Sequence, residues 1–333
     1  MSPPPKRSGG SRRGSGGASR SGGSSGASRR DGSGGASRST RAGAGARHTR
    51  DAAPGSKGRR PRPGDGGERP TGPAGRPLSE LGGDQVEGRR AVLELLSVGH
   101  RTVRRVFVAE DQDPSPQLDR IEELASRLRV PVESVPRTRI DAQARTDAPQ
   151  GVLAQARPLE PVALGDLCRP TRRGGSLRQP FLLVAAGITD PRNLGALLRS
   201  AECAGVTGVV LPRHRSARIS PTVAKTAAGA IEHLPFAVVG GIPAALGELR
   251  EHGVWTVGLA GEETQSLYDL PLGEGPVALV VGSEEKGLAP LVRRRCDALA
   301  AIPQHGALPS LNVGVAGAVA CFEVARQRAV HHA

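Results

Sequence analysis

Three segments in the second half of the chain place polar residues directly after apolar runs, where a sheet could present them to a ligand. They are GITDPRNLGALLRSAE at 187–202, VGSEEKGL at 281–288 and IPQHGALPSLNVGVAGAVA at 302–320. Asn193 could serve only as a helix cap, Arg199 could be a solvated cation, and the 281–288 loop could be ordinary charged surface. Three such segments in one half of the chain favour a ligand site instead.

The third segment predicts a loop followed by a helix of unusually small residues. Its prolines and glycine interrupt regular structure up to Ser310, which is then a natural N-cap. One helical stripe is apolar and the other side is nearly bare: the stripe holds Leu311, Val315, Ala318 and Phe322, and the bare side Gly314, Ala316, Gly317 and Ala320. Because glycine in a helix costs up to about 1 kcal/mol, we expect another element, a second subunit or a ligand to pack there.

Several common sites are absent from the sequence. Neither a GxGxxG motif nor a GxSxG elbow follows a predicted strand, and no GxxxxGK[ST] loop or HExxH pair occurs. The four cysteines, Cys168, Cys203, Cys296 and Cys321, are widely separated and form no CxxC or Cys/His group. The sequence therefore predicts buried thiols and no bound metal.

Apolar runs alternate with helical periodicity from residue 181 onward, which predicts a parallel sheet covered by helices on both faces. Predicted strands begin at FLLVAA (181–186) and end at ALAAIP (298–303), and the last predicted helix covers 311–328. A smaller α/β unit is predicted at 82–156. Residues 157–180, rich in arginine, glycine and proline, are predicted to be an exposed linker, which leaves 181–330 as the larger domain.

The first 80 residues differ in composition from the rest of the chain. They contain 20 of the 46 glycines, and 17 Lys and Arg against 5 Asp and Glu. Their net charge is therefore 17 − 5 = +12, which is most of the +14 of the whole chain. So few aliphatic residues cannot offset the entropy of ordering, so a disordered basic tail is predicted. Such a tail would attract RNA without sequence preference, or would act only as a solubilising extension. No secretory signal or membrane-spanning run is visible, which predicts a cytoplasmic protein.

The three segments resemble, in order, the motifs of the SpoU (TrmH) family of SPOUT-class RNA ribose 2′-O-methyltransferases. The matching residues are Asp190 to Gly195 with Arg199, then Gly282 to Leu288, and then Ile302-Pro303 with Ser310 to Val313. The region from 82 to 156, with GRRAVLELL and PQGVLA, resembles the ribosomal-protein-like RNA-binding domain of its ribosomal RNA methylases. The chain is most similar to the two-domain members that methylate a guanosine of 23S rRNA.

This resemblance implies an α/β fold with a deep C-terminal trefoil knot, an exception to the rule that chains avoid threading. S-adenosylmethionine would be held in the knot by backbone groups near Gly282, Ile302 and Leu311, with no metal. A homodimer would complete the active site on RNA. The resemblance assigns catalytic and RNA-positioning roles to Asn193, Arg199, Glu284, Ser310 and Asn312.

Two departures from the family pattern affect this transfer. Many relatives carry Met after the Ile-Pro of the third motif, where this chain has Gln304 and His305, and relatives often have His where this chain has Pro149. The two-domain layout favours ribosomal RNA as substrate over transfer RNA. A catalytically silent RNA-binding or ribosome-assembly protein is a third reading, which the complete set of motif residues opposes.

Overall fold

The structure, a computed structural model, describes residues 81–331 with the exception of 174 and 309. The predicted tail at 1–80 and Pro309 therefore lie outside the described residues. Within the described part, a four-stranded sheet occupies the first third and a six-stranded sheet the remainder.

The smaller sheet has the strand order β1-β4-β2-β3, in which β2 and β3 are parallel and the other pairs antiparallel. Its elements are β1 (Gln85–Glu87), α1 (Arg89–Val98), β2 (Val103–Ala109), α2 (Pro116–Arg127), β3 (Val132–Val135), α3 (Arg137–Gln143) and β4 (Val152–Ala156). Helices α1 and α2 bury apolar faces on one side of the sheet, while α3 inserts Ile140 beside Phe107 and Leu153 on the other. The predicted small α/β region is thus folded, with β1 and α3 in addition to the predicted elements.

The segment that we predicted as a linker contains regular structure. It includes α4 (Leu164–Leu167), β5 (Thr171–Arg173) and β6 (Ser176–Arg178), and the two strands pair as an antiparallel ribbon. Leu164 and Leu167 are buried in the core of the larger sheet. The high arginine and glycine content predicted an exposed connection. These two buried leucines, which anchor the segment to the core, were too few to change that prediction.

The larger sheet is entirely parallel, with the strand order β12-β10-β11-β7-β8-β9. Its elements are β7 (Phe181–Ala185), α5 (Pro191–Cys203), β8 (Gly208–Pro212), α6 (Pro221–Thr226), β9 (Phe236–Val239), α7 (Ile242–Glu251), β10 (Trp255–Leu259), β11 (Val277–Val281), α8 (Pro290–Arg295), β12 (Ala298–Ala300) and α9 (Val313–His331). The predicted doubly covered parallel sheet is confirmed.

Two apolar cores cover the two faces of the larger sheet. Phe181, Leu183 and Ala185 of β7 face a core that α5, α6 and α9 share. Leu182 and Val184, the alternate residues of the same strand, face a second core formed with α4, α7 and α8. Burial on both faces explains why these strands read as continuous apolar runs.

Helix α9 packs its bare side against α5. A Cβ added at Gly317 would lie 2.4 Å from Leu197 Cδ1, and one at Gly314 would lie 3.3 Å from the Asn193 carbonyl oxygen. Of the three partners that we considered for this side, the structure shows another element. The apolar stripe of the same helix remains exposed instead, with Val315 and Phe322 each 50% accessible.

A buried ion pair joins the two sheets. Arg101, after α1, donates from Nε to Glu232 Oε2 at 2.9 Å, and their side chains are 7% and 2% exposed. The same guanidinium donates to the carbonyl oxygens of Gly83 at 2.6 Å and Arg157 at 2.8 Å. Its Nη2 donates to the other carboxylate oxygen, Glu232 Oε1. With these four acceptors arranged around it, the guanidinium fixes the smaller sheet against the larger one.

The four cysteines carry free thiols in different environments. Cys321 is buried, which raises the pKa of its thiol to about 12. Burial, with a nearby carboxylate, raises the pKa of Cys168 and of Cys296 to about 11. Cys203 is exposed, so the prediction of a buried thiol is wrong there. It is the last residue of α5.

Candidate active site

The carboxyl ends of four neighbouring strands bring the three predicted motifs together. Val281 of β11 is level with Ala185 of β7, while Leu259 of β10 is level with Ala300 of β12. Each motif begins within two residues of one of these ends. Loops that are distant in sequence therefore share one edge of the sheet, where α/β proteins bind ligands.

The Glu284 carboxylate holds the first loop in place. It accepts hydrogen bonds from the backbone N–H groups of Asp190 at 3.1 Å and Thr189 at 3.3 Å, and from the Thr189 hydroxyl at 3.3 Å. Partial burial alone would raise the pKa of this carboxyl, but the surrounding N–H donors outweigh it and lower the pKa below its usual range. The group is therefore ionised at neutral pH and a weak base, and its anchoring is lost only as acid protonates it.

Asn193 links Glu284 to Asn312. Its Nδ2 donates to Glu284 Oε1 at 3.2 Å, and its Oδ1 accepts from Asn312 Nδ2 at 3.0 Å. Three predicted site residues from three separate motifs thus form one chain of hydrogen bonds. We call this group the amide-carboxylate chain.

The helix caps differ from those that we predicted. Asn312, and not Ser310, caps α9, because its Oδ1 accepts from the N–H groups of Gly314 at 2.9 Å and Val315 at 3.3 Å. Helix α5 is likewise capped by Asp190 and not by Asn193. The cap of α9 lies two residues after Ser310, and the cap of α5 lies three residues before Asn193. Neither Asn193 nor Ser310 is therefore used for capping.

The second motif is a tightly closed loop. Ser283 and Gly287 exchange two backbone hydrogen bonds, of 2.9 and 3.0 Å. A Cβ at Gly282 would lie 2.2 Å from the Gly287 carbonyl carbon, so only glycine permits this closure. The loop therefore presents the side chains of Glu284, Glu285 and Lys286 outward, while Leu288 is buried beneath it.

A cavity of about 580 Å³ lies at this edge of the sheet, within the size range of small-molecule sites. We call it the strand-end cavity. The predicted cofactor residues Gly282, Ile302 and Leu311 line it, and so do Glu284 and Ser310. Apolar side chains of Leu259, Leu288 and Val313 line it together with three carboxyl groups, those of Glu262, Glu284 and Glu285, and one ammonium group, that of Lys286. The carboxylates therefore outnumber the cation. Such a cavity suits a ligand with an apolar part and a positive charge.

The other predicted residues lie outside the cavity wall. Asn193 and Asn312 stand behind it, joined to it through Glu284. Arg199 is exposed on α5 and makes no hydrogen bond or ion pair within the described part of the chain. Six residues of helix separate it from Asn193, which turns it about 120° away. The fold of one chain therefore does not bring Arg199 to the other site residues.

One wall of the cavity was not predicted from the sequence. Leu259, the last residue of β10, and the following residues Ala260, Gly261 and Glu262 line the cavity. Arg293 of α8 forms an ion pair with Glu262. The signal was present, because these residues also follow an apolar strand and include a glycine. Only the strand order, with β10 beside β11, shows that this turn faces the other motifs.

Two features are absent from the described residues. No helix there is both long and apolar enough to cross a bilayer, and no cluster of three or more potential metal-ligating side chains is present among the same residues.

Comparisons with known proteins agree with this geometry. Residues 180–322 match the SpoU rRNA Methylase family, and residues 85–162 match the RNA 2′-O ribose methyltransferase substrate binding family. The 23S rRNA (guanosine-2′-O-)-methyltransferase RlmB of Pseudomonas putida is 38% identical over 74% of this chain and 98% of its own.

Two crystal structures extend these comparisons. One, an RNA 2′-O ribose methyltransferase, has a TM-score of 0.59 and 26% identity over 74% of this chain and 88% of its own. The other is the SpoU methyltransferase AviRb from Streptomyces viridochromogenes in complex with AdoMet. It has a TM-score of 0.59 and 23% identity over 74% of this chain and 90% of its own, which establishes a shared fold.

Proposed function

Because the chain belongs to the SpoU rRNA methylase family, we propose that it methylates the ribose 2′-hydroxyl of a guanosine in 23S ribosomal RNA. S-adenosylmethionine is the methyl donor. The observation that carries the proposal is the strand-end cavity, whose wall includes the three predicted cofactor residues and Glu284. Its carboxyl groups fit a cationic donor, and its apolar walls fit the rest of a small cofactor.

The protein's contribution to this reaction is chiefly positioning. When bound, S-adenosylmethionine supplies a methyl group that its own sulfonium charge has already activated. Glu284, Asn193 and Asn312 lock the three loops into one arrangement, so the cavity wall does not have to reorganise during the reaction. Because Ser310 lines the cavity and no longer caps α9, its hydroxyl is free to orient the ribose.

Isothermal titration and methyl mapping test this function together. We expect the protein to bind S-adenosylmethionine and to transfer labelled methyl to 23S rRNA that lacks the modification. Mapping 2′-O-methylation with and without the gene then identifies the nucleotide. Absence of cofactor binding would support the silent RNA-binding protein, and methyl on transfer RNA alone would support the tRNA enzyme.

We further propose a homodimer in which Arg199 serves the partner's site. Four exposed apolar residues surround the start and middle of α9, which is unusual for a monomer surface: Leu308, Leu311, Val315 and Phe322. A second copy covering this face would bury it and could bring Arg199 to the reacting ribose. The predicted trefoil knot remains a prediction of the resemblance.

Replacing Phe322 by glutamate is expected to convert the dimer to monomers, because a carboxylate would then be buried in an apolar interface. Sedimentation velocity measures the mass directly. Leu128→Glu is the matched control, since Leu128 is 43% exposed at the end of α2, a helix of the smaller sheet. A Phe322→Glu protein that sediments like the unaltered chain would contradict the proposed interface.

Arg199→Lys is expected to lower methyl transfer about tenfold, mainly through a higher KM for RNA. A guanidinium is always protonated, so we assign Arg199 to gripping the target phosphate with two parallel hydrogen bonds. Lysine keeps the charge but loses that geometry. Arg294→Lys, an exposed arginine of α8, is the control. A lysine variant with nearly full activity would exclude the two-bond grip.

Deleting residues 1–80 is expected to weaken RNA binding about tenfold at low salt and little at high salt. This segment carries 17 Lys and Arg against 5 Asp and Glu, so its attraction for RNA depends on counterion release. Binding measured from about 50 to 300 mM salt gives the slope for both proteins. Identical slopes would leave only the solubilising role.

We also propose a substrate-binding domain at 82–156, a catalytic domain at 181–330, and a cytoplasmic location, where ribosomal RNA is found.

A further inference from the structure

A second cavity, of about 330 Å³, lies on the smaller sheet, well apart in sequence from the strand-end cavity. It is formed where α1, the loop before α2 and the loop before β4 meet. We call it the amide cavity because three glutamines line it. The lining residues are Arg89, Gln112, Gln117, Arg137 and Gln150.

Arg89 is held rigidly and is still incompletely satisfied. Its Nη1 donates to Ser115 Oγ at 3.2 Å and its Nη2 donates to Gln112 Oε1. Its Nε is buried and has no hydrogen-bond partner within the described part of the chain. Buried donors without a partner are rare in folded proteins and costly, which leaves this guanidinium short of one acceptor.

A second lining residue, Gln150, has a strained backbone. Gln150 has a φ of 56°, in the left-handed region that favours glycine. Its Oε1 accepts from the N–H of Arg89 at 3.2 Å. A Cβ at the following Gly151 would lie 1.9 Å from Gln112 Nε2, so that glycine provides the space for the Gln112 amide. Backbone strain maintained to hold side chains in place is typical of ligand sites.

The loop that carries Gln150 also contacts the catalytic sheet. Asp147 forms an ion pair with Arg192 at 3.5 Å, next to Asn193, and the Lys225 ammonium donates to the Ala148 carbonyl oxygen. Gln150 follows Asp147 by three positions, so at most about 11 Å of chain separates the two residues. A single RNA strand can therefore contact both the amide cavity and the carboxyl edge of the larger sheet.

We propose that the amide cavity binds one unpaired nucleotide of the substrate RNA and reads its base by hydrogen bonds, an inference that rests on the proposed function. The Gln117 amide can both donate and accept, whereas Gln112 and Gln150, whose Oε1 atoms accept from Arg89, offer their Nε2 donors. Amides in these roles can distinguish base edges, which a set of cations alone cannot. The cavity has the size for one base, and no aromatic ring lines it for stacking. Unpaired bases are the usual targets of sequence-specific RNA recognition.

Binding of short single-stranded RNAs to the full chain tests this site. The probes are oligo(A), oligo(C) and oligo(U), measured at one salt concentration. We expect the unaltered protein to prefer one of them by roughly tenfold, the discrimination that one well-paired base provides. Gln117→Ala and Gln150→Gly are each expected to remove most of that preference, and glycine at 150 also relieves the left-handed strain.

Gln143→Ala is the matched control, because Gln143 is an exposed glutamine of α3 that does not line the cavity. It should retain the full preference. The inference is overturned if the unaltered protein shows no preference, or if the cavity variants weaken all three probes equally, as a phosphate contact would. Methyl transfer to 23S rRNA by the unaltered protein separates failure of the proposed function from failure of the amide cavity inference. If transfer occurs and the base preference is absent, only the inference fails.

Discussion

Asn193→Ala is expected to lower methyl transfer at least about a hundredfold while leaving the affinity for S-adenosylmethionine nearly unchanged. Asn193 joins Glu284 to Asn312, at 3.2 and 3.0 Å, so its loss separates the second motif from the start of α9. Misplacing a reacting group by about 1 Å can cost roughly a hundredfold in rate. The cofactor residues are spared because Asn193 does not line the strand-end cavity.

Single-turnover transfer and calorimetry, performed on the same protein, measure the two effects separately. Ser200→Ala serves as the control on the same helix, since its hydroxyl donates only to the Ala196 carbonyl oxygen. A second variant, Asn193→Asp, tests the amide-carboxylate chain in another way, because it places a second carboxylate beside Glu284. This variant should be at least as inactive as Asn193→Ala. Nearly normal transfer by Asn193→Ala would show that the amide-carboxylate chain does not position the reacting groups.

Glu232→Ala is expected to destabilise the chain by roughly 3–5 kcal/mol, because it leaves the Arg101 guanidinium buried without its counter-charge. That cost is a large part of the roughly 5–15 kcal/mol that stabilises an ordinary domain. The pair joins the two sheets, so we also expect the smaller sheet to lose its fixed orientation. Urea denaturation monitored by circular dichroism measures the change.

The exposed pair of Arg105 and Glu133 provides the comparison. Their side chains are 47% and 34% accessible, so Glu133→Ala should cost no more than about 1 kcal/mol. The double variant Arg101→Met/Glu232→Leu should recover much of the stability, since apolar replacements of a buried pair are often neutral. Equal small losses from Glu232→Ala and Glu133→Ala would refute the assigned role of the buried pair.

Much of the architecture was predictable from local pattern. β7 covers Phe181–Ala185, within one residue of the strand predicted at 181–186, because its apolar run is complete within a few positions. The motif residues could likewise be located, since polar groups directly after buried strands are recognisable in sequence. The buried leucines of α4 were missed, because a segment of four residues carries no periodicity.

Helix caps were predicted less well. Ser310 and Asn312 are both good capping residues, and a difference of two positions determines which of them is available for chemistry. The structure selects Asn312, whose Oδ1 receives two N–H groups of α9. Local propensity could not separate them, because the position of α9 is set by the packing of Gly314 and Gly317 against α5.

The sequence by itself determined the kinds of element, the parallel sheet and the three motifs, because hydrophobic periodicity and strand-end polarity are local properties. Only the tertiary structure decided which strand ends are neighbours, and hence that Leu259 to Glu262 share a cavity with the motifs. It also decided that the glycine side of α9 meets α5 and that its apolar stripe faces outward. The physical reason is that strand order and helix orientation depend on contacts between residues far apart in sequence, which no local pattern encodes. Asn193 and Asn312, for example, are 119 positions apart.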